Sequence, residues 1–271
     1  MNGPRLSERL AALAEAVPEG ARLADIGTDH AWIPVALLLS GRITFAYACD
    51  IGAGPLQRAS EHIAQYGLSD RAETRLSDGL HALEPGECDA VLIAGMGGEL
   101  MTRILKEGFA RKNDSGEDFP GTVRRWILSP HTEWEVLRRF LRSAGLAVAE
   151  ETMVQEDGKF YPVICAEPGD PEAAYQAAAL AGIPGWAAER FGPLLTVRRH
   201  PAAVRCMERE LEKDRRLLSQ LTDRDSTESL SPAGKERIAE LETEVRALET
   251  TLSRDIPDAG QNTWPGTETG I

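Results

Sequence analysis

The segment ARLADIGTDHAWIP, residues 21–34, joins a short apolar run, one glycine and a second apolar stretch with helical character. An apolar strand that ends in a glycine turn and continues as a helix typically begins a βαβ unit, whose turn surrounds a ligand with backbone N–H groups. One glycine is a weak signal on its own, because many α/β proteins carry such a turn. Asp29 and His30 stand where a second glycine would be expected. The ligand must therefore be one that tolerates a carboxylate and an imidazole.

Strand-like and helix-like segments alternate through the first half of the chain. We predict strands at Ala21–Ile26, Ile43–Cys49, Ala72–Leu76, Ala90–Ala94 and Val123–Leu128, and helices at Ala31–Leu39, Pro55–Gln65, Glu99–Lys106 and Glu133–Ser143. Such alternation is typical of βαβ units and a parallel sheet covered on both faces. Two further runs, Ala147–Gln155 and Phe160–Ala166, flank an Asp-Gly pair, which indicates a hairpin. Five βα units followed by an antiparallel hairpin separate this chain from an ordinary dinucleotide-binding fold.

Candidate ligand-binding residues follow the ends of successive strands. Asp50 ends the second strand, where a carboxylate can accept hydrogen bonds from two ribose hydroxyls. Asp78 follows the third strand and can accept from an exocyclic adenine amine, and the glycines of AGMGGEL (residues 94–100) follow the fourth. Taken alone, each has a plainer explanation. Asp50 would cap the next helix, and Asp78 would be an ordinary turn residue. Met96 would fill the core, and Gly97-Gly98 would begin a helix. Together they lie at the edge where open α/β sheets bind ligands, and they indicate an adenosine-containing ligand.

The charge of the turn selects among such ligands. A pyrophosphate favours a fuller glycine turn with no carboxylate nearby, and Asp29 would repel it. The sulfonium and amino groups of S-adenosylmethionine are positive and tolerate that carboxylate. The charge and the hairpin together favour a class I methyltransferase with a Rossmann-like seven-stranded sheet.

Composition limits the other possibilities. The 271 residues carry a formal net charge of −13, which argues against bulk nucleic-acid binding. The four cysteines are far apart without a C-x-x-C pair, so neither a disulfide framework nor a zinc site is expected, and we expect no bound metal. No apolar stretch reaches the roughly 18 residues that span a bilayer, and the charged, amphipathic N-terminus differs from a signal peptide. We expect a cytoplasmic protein that does not contact membranes.

Three segments resemble one particular family in residue detail. LSERLAALAEAVPEGARLADIGTDHAWIP (residues 6–34), AGMGGEL (94–100) and QEDGKFYPVICAEPGD (155–170) are similar, nearly in register, to the bacterial tRNA (adenine(22)-N1)-methyltransferases. The combination of DIG-[ST]-DHA-x-x-P with AGMGG is far more specific than a glycine turn. The resemblance covers about Leu6 to Asp170 and implies a class I methyltransferase that uses S-adenosylmethionine to methylate N1 of an adenine in the tRNA D-arm.

The resemblance also implies roles for individual residues. The residues implied to line the cofactor are Asp25, Gly27, His30, Asp50, Ile51, Asp78, Gly79, Gly95 and Met96. Asp29 is implied to lie nearest the chemistry, and Tyr161 lies in a matching motif, where it can stack on the target base. After the fifth strand the family pattern has Pro-Asn or Pro-Gln, whereas this chain has Pro130-His131. A contact to the base or to the methionine end of the cofactor is therefore made differently here.

N1 of adenine carries a free lone pair, so the transfer needs alignment rather than a base. We expect Asp29 to accept a hydrogen bond from the exocyclic N6 amine and to stabilise the positive charge that develops on the adenine. His30 is explained equally well as a polar residue satisfied within the turn. Trp32 is a second stacking candidate, although core positions would explain both it and Tyr161.

The chain changes character at Pro171. Two apolar stripes at helical spacing predict helices that fold back as an antiparallel coiled-coil hairpin: Val204, Met207, Leu211, Leu218 and Leu221, then Ile238, Leu241, Val245, Leu248 and Leu252. We divide the chain into a methyltransferase domain (1–170), a helical hairpin domain (171–254) and a disordered tail (255–271). The polar loop Ala110–Thr122 is expected to be a mobile flap or a disordered insertion.

Basic residues are concentrated near the hairpin despite the acidic total. They include Arg198, Arg199, His200, Arg205, Arg209, Lys213, Arg215 and Arg216, with further groups at Arg103, Lys106, Arg111, Lys112, Arg124, Arg125, Arg138, Arg139 and Arg142. We take Arg198 and Arg199, with Tyr161 and His131, as candidate tRNA-binding residues. The alternative is that interleaved acids make the first hairpin helix a solvated flank of the coiled coil. The hairpin itself either orients tRNA or forms a dimer surface, although we expect a monomer. Methylation of a protein or small molecule, and a non-catalytic RNA-binding scaffold, remain alternative functions.

Overall fold

A computed structural model describes residues 3–222 and 231–254 of the chain. Its strands are β1 (Ala21–Ile26), β2 (Ile43–Asp50), β3 (Ala72–Leu76), β4 (Ala90–Ala94), β5 (Arg125–Ser129), β6 (Leu146–Glu156) and β7 (Lys159–Pro168). Its helices are α1 (Glu8–Ala16), α2 (Trp32–Leu39), α3 (Ala53–Gln65), α4 (Gly98–Phe109), α5 (Phe119–Thr122), α6 (Trp134–Ser143), α7 (Ala173–Leu180), α8 (Gly185–Phe191), α9 (Pro193–Val197), α10 (Pro201–Thr222) and α11 (Pro232–Leu252).

The seven strands form one mixed sheet in the order β3-β2-β1-β4-β5-β7-β6. The first five strands are parallel, and β7 pairs antiparallel with both β5 and β6. The predicted seven-stranded methyltransferase sheet is confirmed. Chain order reverses between β1 and β4, and this switch point is where open α/β sheets bind ligands.

Two apolar layers cover the sheet, one on each face. On one side α1, α2 and α3 pack against residues such as Leu23, Ala46 and Leu92. On the other side α4 and α6 pack against residues such as Val91 and Trp126. The four cysteines are free and buried, and burial raises the pKa of each thiol to about 12.

Three short helices, α7 to α9, follow the sheet where the sequence indicated only Ala-rich helix. Ala174, Tyr175 and Ala178 of α7 belong to the same apolar cluster as β5 and β7. Short helices rich in alanine lack the apolar periodicity that would have separated them in the sequence. The buried core of the sheet therefore continues beyond residue 170.

The loop Ala110–Thr122 is folded, so the expected alternative of a disordered insertion is wrong. The Asn113 side chain accepts hydrogen bonds from the backbone of Ser115 and Glu117 and donates to the carbonyl of Pro85. Phe119 is fully buried in the core. The polar composition of the loop gave no indication that Phe119 anchors it in the core or that Asn113 organises its turn.

The predicted C-terminal helix pair is present as α10 and α11, packed against each other through Leu211, Val245 and Leu248. Arg199, just before α10, donates to the carbonyls of Thr251 and Leu252 at the end of α11, so the two helices run antiparallel. The predicted tail at 255–271 lies outside the described residues. No helix within 3–222 or 231–254 is long and apolar enough to cross a membrane.

Candidate active site

A cleft of about 420 Å³ opens at the switch point between the carboxyl ends of β1 and β4. Helix α1 forms its outer wall. The cleft is lined by Arg9, Leu10, Leu13, Asp25, Gly27, Thr28, Asp29, Trp32, Ile33, Leu92, Ala94, Gly95, Met96 and His131. Asp25, Gly27, Asp29, Gly95, Met96 and His131 were all predicted site residues, and the fold places them around one space.

The glycine turn after β1 does not offer its amides to a ligand. The N–H groups of Gly27 and Thr28 both donate to the carbonyl of Cys49, at 2.8 and 3.0 Å. The next N–H, that of Asp29, lies 3.3 Å from an Asp50 carboxylate oxygen and donates to it. The expectation that this turn surrounds a ligand with free N–H groups is therefore wrong. Side-chain carboxylates face the cleft instead, which is unfavourable for a phosphate and favourable for a cation.

Asp25 is a buried carboxyl group with no basic partner recorded among the described residues. Only 5% of the residue is exposed, and its one side-chain hydrogen bond comes from the Thr28 hydroxyl at 2.6 Å. Burial, assisted by the charge of Asp50 and opposed by the Thr28 hydrogen bond, raises the pKa of Asp25 to about 6. A carboxylate held in this way gains a partner when a positive group enters the cleft.

Asp29 has left-handed backbone, with φ of 49°, a conformation that aspartate tolerates better than most residues. The turn thereby directs an exposed carboxylate to the cleft. Its Oδ1 atom lies 3.2 Å from the Arg58 guanidinium and 3.7 Å from the His30 ring. His30 is further fixed because its carbonyl is 2.8 Å from Nδ1 of His62, so it acts here as part of the turn.

The remaining predicted cofactor residues lie beside the cleft, along the ends of β2 and β3. Asp50 accepts from the Gly52 N–H at 2.8 Å. Ile51 is 69% exposed, which is unusual for an isoleucine. Its side chain therefore presents an apolar face beside the cleft. Asp78 lies 3.8 Å from Arg103. Gly79 has φ of 61°, and a Cβ there would lie 2.8 Å from Ile104, so its freedom from a side chain serves packing.

The loops after β4 and β5 are joined through their backbones. The His131 N–H donates to the Met96 carbonyl at 2.9 Å, and the Gly98 N–H donates to the Thr132 carbonyl at 2.9 Å. A Cβ on Gly98 would collide with the carbonyl of Glu133. At least one glycine of AGMGGEL is therefore needed for the approach of two loops, rather than for the approach of a ligand. This junction fixes His131 at the cleft.

One wall residue, Arg9 of α1, was missed by the sequence analysis. Its guanidinium lies 3.2 Å from Nε2 of His131 and 4.9 Å from the centre of the Tyr161 ring. Tyr161 in turn makes an edge contact with His131, with ring centres 5.3 Å apart. No signal in the sequence linked residue 9 to residues 131 and 161, because only the fold brings them together.

The basic candidates near the hairpin lie away from this cleft. Arg199 holds the end of α11, as described above, so a structural role accounts for its guanidinium. Arg198 lines a separate depression beside α1, with Arg42 and Glu150. Neither is among the residues that line the cleft. Within the described ranges, no cluster of three or more His, Cys, Asp or Glu side chains is arranged to hold a metal ion.

Comparison with known proteins agrees with this geometry. Residues 6–164 match the family described as "Methyltransferase domain". The tRNA (adenine(22)-N(1))-methyltransferase of Bacillus subtilis is 32% identical over 252 residues, which cover 93% of this chain and 99% of that protein.

This chain belongs to the tRNA (adenine(22)-N1)-methyltransferase family. The crystal structure of the B. subtilis m1A22 tRNA methyltransferase TrmK superimposes on it with a TM-score of 0.80, covering 92% of this chain and 99% of that one. A second similar structure is that of a Streptococcus pneumoniae protein described as a putative tRNA (m1A22) methyltransferase, solved in complex with S-adenosyl-L-methionine. It is 30% identical to this chain, and the match covers 92% of this chain and 100% of that one with a TM-score of 0.75. The family resemblance found in the sequence is confirmed, and it extends through the C-terminal helices of this methyltransferase.

Proposed function

We propose that this methyltransferase transfers a methyl group from S-adenosylmethionine to N1 of adenine 22 in the D-arm of tRNA. The observation that carries the proposal is the cleft itself: two carboxylates face it, while the amides of its glycine turn are already bonded within the protein. This arrangement suits a positively charged donor and a substrate that becomes positive. Family membership supplies the acceptor.

The residues present fit the donor. S-adenosylmethionine supplies an activated methyl group on a positively charged sulfur. Asp25, buried and lacking a recorded basic partner, is placed to receive the donor's amino group. Asp50 and Asp78 at the neighbouring strand ends suit the ribose hydroxyls and the adenine amine, and the exposed Ile51 offers an apolar face to the adenine.

The acceptor adenine needs orientation rather than activation. Its N1 lone pair attacks the methyl carbon as the bond from that carbon to sulfur breaks, so the main task of the enzyme is alignment. In our proposal Asp29 accepts a hydrogen bond from the N6 amine, an interaction that strengthens as the ring becomes positive. Tyr161 stacks on the base, which must leave its tertiary contacts to enter the cleft.

Many arginines of this acidic chain are already paired with acidic side chains, so their charge is not available for tRNA phosphates. Arg125, Arg142 and Arg215 form ion pairs of 2.5–2.6 Å with Glu167, Glu172 and Glu249. Two other arginines, Arg205 and Arg209, connect α10 to the β6–β7 turn, and we call this connection the joint. The chain continues from that turn to Tyr161. Arg205 donates to the Gln155 side chain and Arg209 donates to the Gly158 carbonyl.

We expect tRNA phosphates to contact this joint, where Lys159 also lies, and binding to weaken steeply with salt. A cytoplasmic monomer is the form in which we expect the enzyme to act.

The test is to map the methyl group. Purified protein is incubated with methyl-labelled S-adenosylmethionine and an unmodified tRNA transcript, and the product is analysed by nucleoside and fragment mass spectrometry. We expect 1-methyladenosine at position 22, and no label in a matched transcript with guanosine 22. Cofactor binding without label on any tRNA would reject the proposed acceptor and favour a protein or a small molecule.

A further inference from the structure

Among the residues that the structure describes, Arg9 is the only arginine or lysine that lines the cleft. It comes from α1, outside the strand ends that carry the other site residues. Its backbone N–H lies 3.4 Å from Oε1 of Glu156, and its Nε lies 3.7 Å from the other oxygen of that carboxylate. Glu156 ends β6, next to the hairpin turn that we expect to meet tRNA. Arg9 therefore links α1, the loop after β5 and the β6–β7 hairpin in one wall.

The contact between Arg9 and His131 fixes the chemistry of the imidazole. A guanidinium has only N–H donors, so the Nε2 atom 3.2 Å away must be an acceptor. His131 is then neutral, and its single proton is on Nδ1. Burial lowers the pKa of His131, and the charges of Arg9 and Lys159 lower it further. The charged groups around the ring all act in the same direction except Glu156, which is engaged with Arg9.

The residues around His131 fix the position of its ring as well as the position of its proton. The His131 backbone N–H is bonded to Met96, and the edge of its ring meets Tyr161. Arg9 also lies over the Tyr161 ring, a cation–π contact that fixes both aromatic groups at once. The same cleft is lined by Asp29, an acceptor. A base bound in the cleft can therefore meet both an acceptor and an N–H donor.

We propose that Arg9 is a positioning residue for the acceptor base: it holds His131 as a neutral Nδ1–H donor to a ring nitrogen of the target adenine other than N1, while Asp29 accepts from the N6 amine. The inference rests on the proposed function for the identity of the base. It explains how a histidine serves where the family pattern has an asparagine or a glutamine. An asparagine side chain always carries N–H donors. A histidine supplies an N–H donor at a fixed atom only when its tautomer is set.

A double-mutant cycle tests this role. Arg9→Met, His131→Asn and the double variant are compared for kcat/KM toward tRNA and for the Kd of S-adenosylmethionine. We expect Arg9→Met to lower kcat/KM about tenfold in the wild type, but less than about twofold in the His131→Asn background, because asparagine has no tautomer to set. Cofactor Kd should change little in all three. Arg5→Met, an exposed arginine just before the same helix, is the matched control and should behave as wild type.

An NMR titration of His131 gives a readout that a purely structural role would not move. In the wild type we expect the Nδ1–H tautomer, and Arg9→Met should raise the pKa of His131, because a neighbouring cation is removed. Equal losses of kcat/KM in both backgrounds would overturn the proposal and indicate a direct contact of Arg9 with RNA. An unchanged tautomer and pKa in Arg9→Met would also overturn it.

Thermal unfolding identifies any variant that fails to fold, and Arg9→Lys then provides a second, milder substitution. If the wild type does not methylate adenine, the proposed function fails, while the NMR result still decides whether Arg9 sets the tautomer.

Discussion

At the residue scale, the cleft contains a carboxyl group that the folded protein alone does not satisfy. Asp25 is buried against Thr28 and near Asp50, and its pKa is raised to about 6. A carboxyl group whose pKa is raised by folding binds its proton more tightly in the folded state. The free energy of unfolding therefore falls as pH rises from about 4 to about 6, and at neutral pH the charge is destabilising. Such a residue is explained by a ligand that the folded protein is built to receive.

Asp25→Asn removes this charge and keeps the shape of the side chain. We expect the free energy of unfolding of the ligand-free protein at pH 7 to rise by about 1–3 kcal/mol, as measured by denaturant unfolding. We also expect S-adenosylmethionine to bind at least about tenfold more weakly.

The pH dependence provides the control for this prediction. In the wild type, cofactor affinity should fall as pH drops below about 6, by up to about tenfold per pH unit, because the carboxyl must lose its proton to bind a cation. Calorimetric titration should show this slope in the wild type and a flat profile in Asp25→Asn. Parallel profiles in the two proteins would show that Asp25 does not contact the donor.

At the element scale, the described part of the helical hairpin buries one charged residue in its apolar stripe. Asp214 falls between Leu211 and Leu218, is only 3% exposed, and has a carboxylate oxygen that is buried without a hydrogen-bond partner among the described residues. Burial raises its pKa, and the charges of Glu210 and Glu244 raise it further. A buried, unpaired carboxyl at this position of a helix pair destabilises the pair.

Asp214→Leu should therefore stabilise the protein. We expect the free energy of unfolding at pH 7 to increase by about 1–3 kcal/mol, and we expect this gain to shrink as pH falls and Asp214 becomes protonated. The matched control is Glu212→Leu, an exposed site on the same helix, which should change the free energy by less than about 0.5 kcal/mol. A destabilised Asp214→Leu variant would mean that the carboxylate has a partner in solution, and the argument would fail.

The sequence predicted elements better than contacts. The strand Ala90–Ala94 was predicted to the residue, because it is a continuous apolar run bounded by turn residues, and Ala21–Ile26 was also predicted to the residue. The loop after α4 was misjudged, since the burial of Phe119 depends on the rest of the fold. The amides of the glycine turn were also misjudged, because their acceptor, the carbonyl of Cys49, lies on another strand. Local patterns carry no information on such partners.

At the scale of the whole molecule, one buried ion pair joins the sheet to the C-terminal helices. The Arg138 and Glu151 side chains are both fully buried and 2.8 Å apart. Arg138 also donates to the carbonyls of Glu189 and Arg190, and Glu151 accepts from the N–H of Leu194. Residues of α6, β6, α8 and α9 therefore share one network, which fixes α8 and α9 against the sheet.

Removing one partner of this pair leaves the other charge buried. We expect Glu151→Gln to lower the free energy of unfolding by about 3–5 kcal/mol, and we expect the double variant Arg138→Met/Glu151→Leu to recover most of the loss. The control is Arg139→Met, which breaks an exposed pair with Glu189 and should change stability by less than about 1 kcal/mol. A small effect of Glu151→Gln, measured by denaturant unfolding, would show that this network is not what holds α8 and α9 against the sheet.

We propose that Asp29 contacts the N6 amine of the target adenine during methyl transfer. The most direct measurement is the single-turnover rate of wild type and Asp29→Ala on two tRNAs, one with adenosine at position 22 and one with purine riboside, which lacks the amine. We expect that losing the amine slows the wild type strongly and slows Asp29→Ala by a much smaller factor, with the Kd of S-adenosylmethionine nearly unchanged by the substitution. Equal slowing of both enzymes, or a loss of cofactor binding in Asp29→Ala, would show that Asp29 does not make this contact.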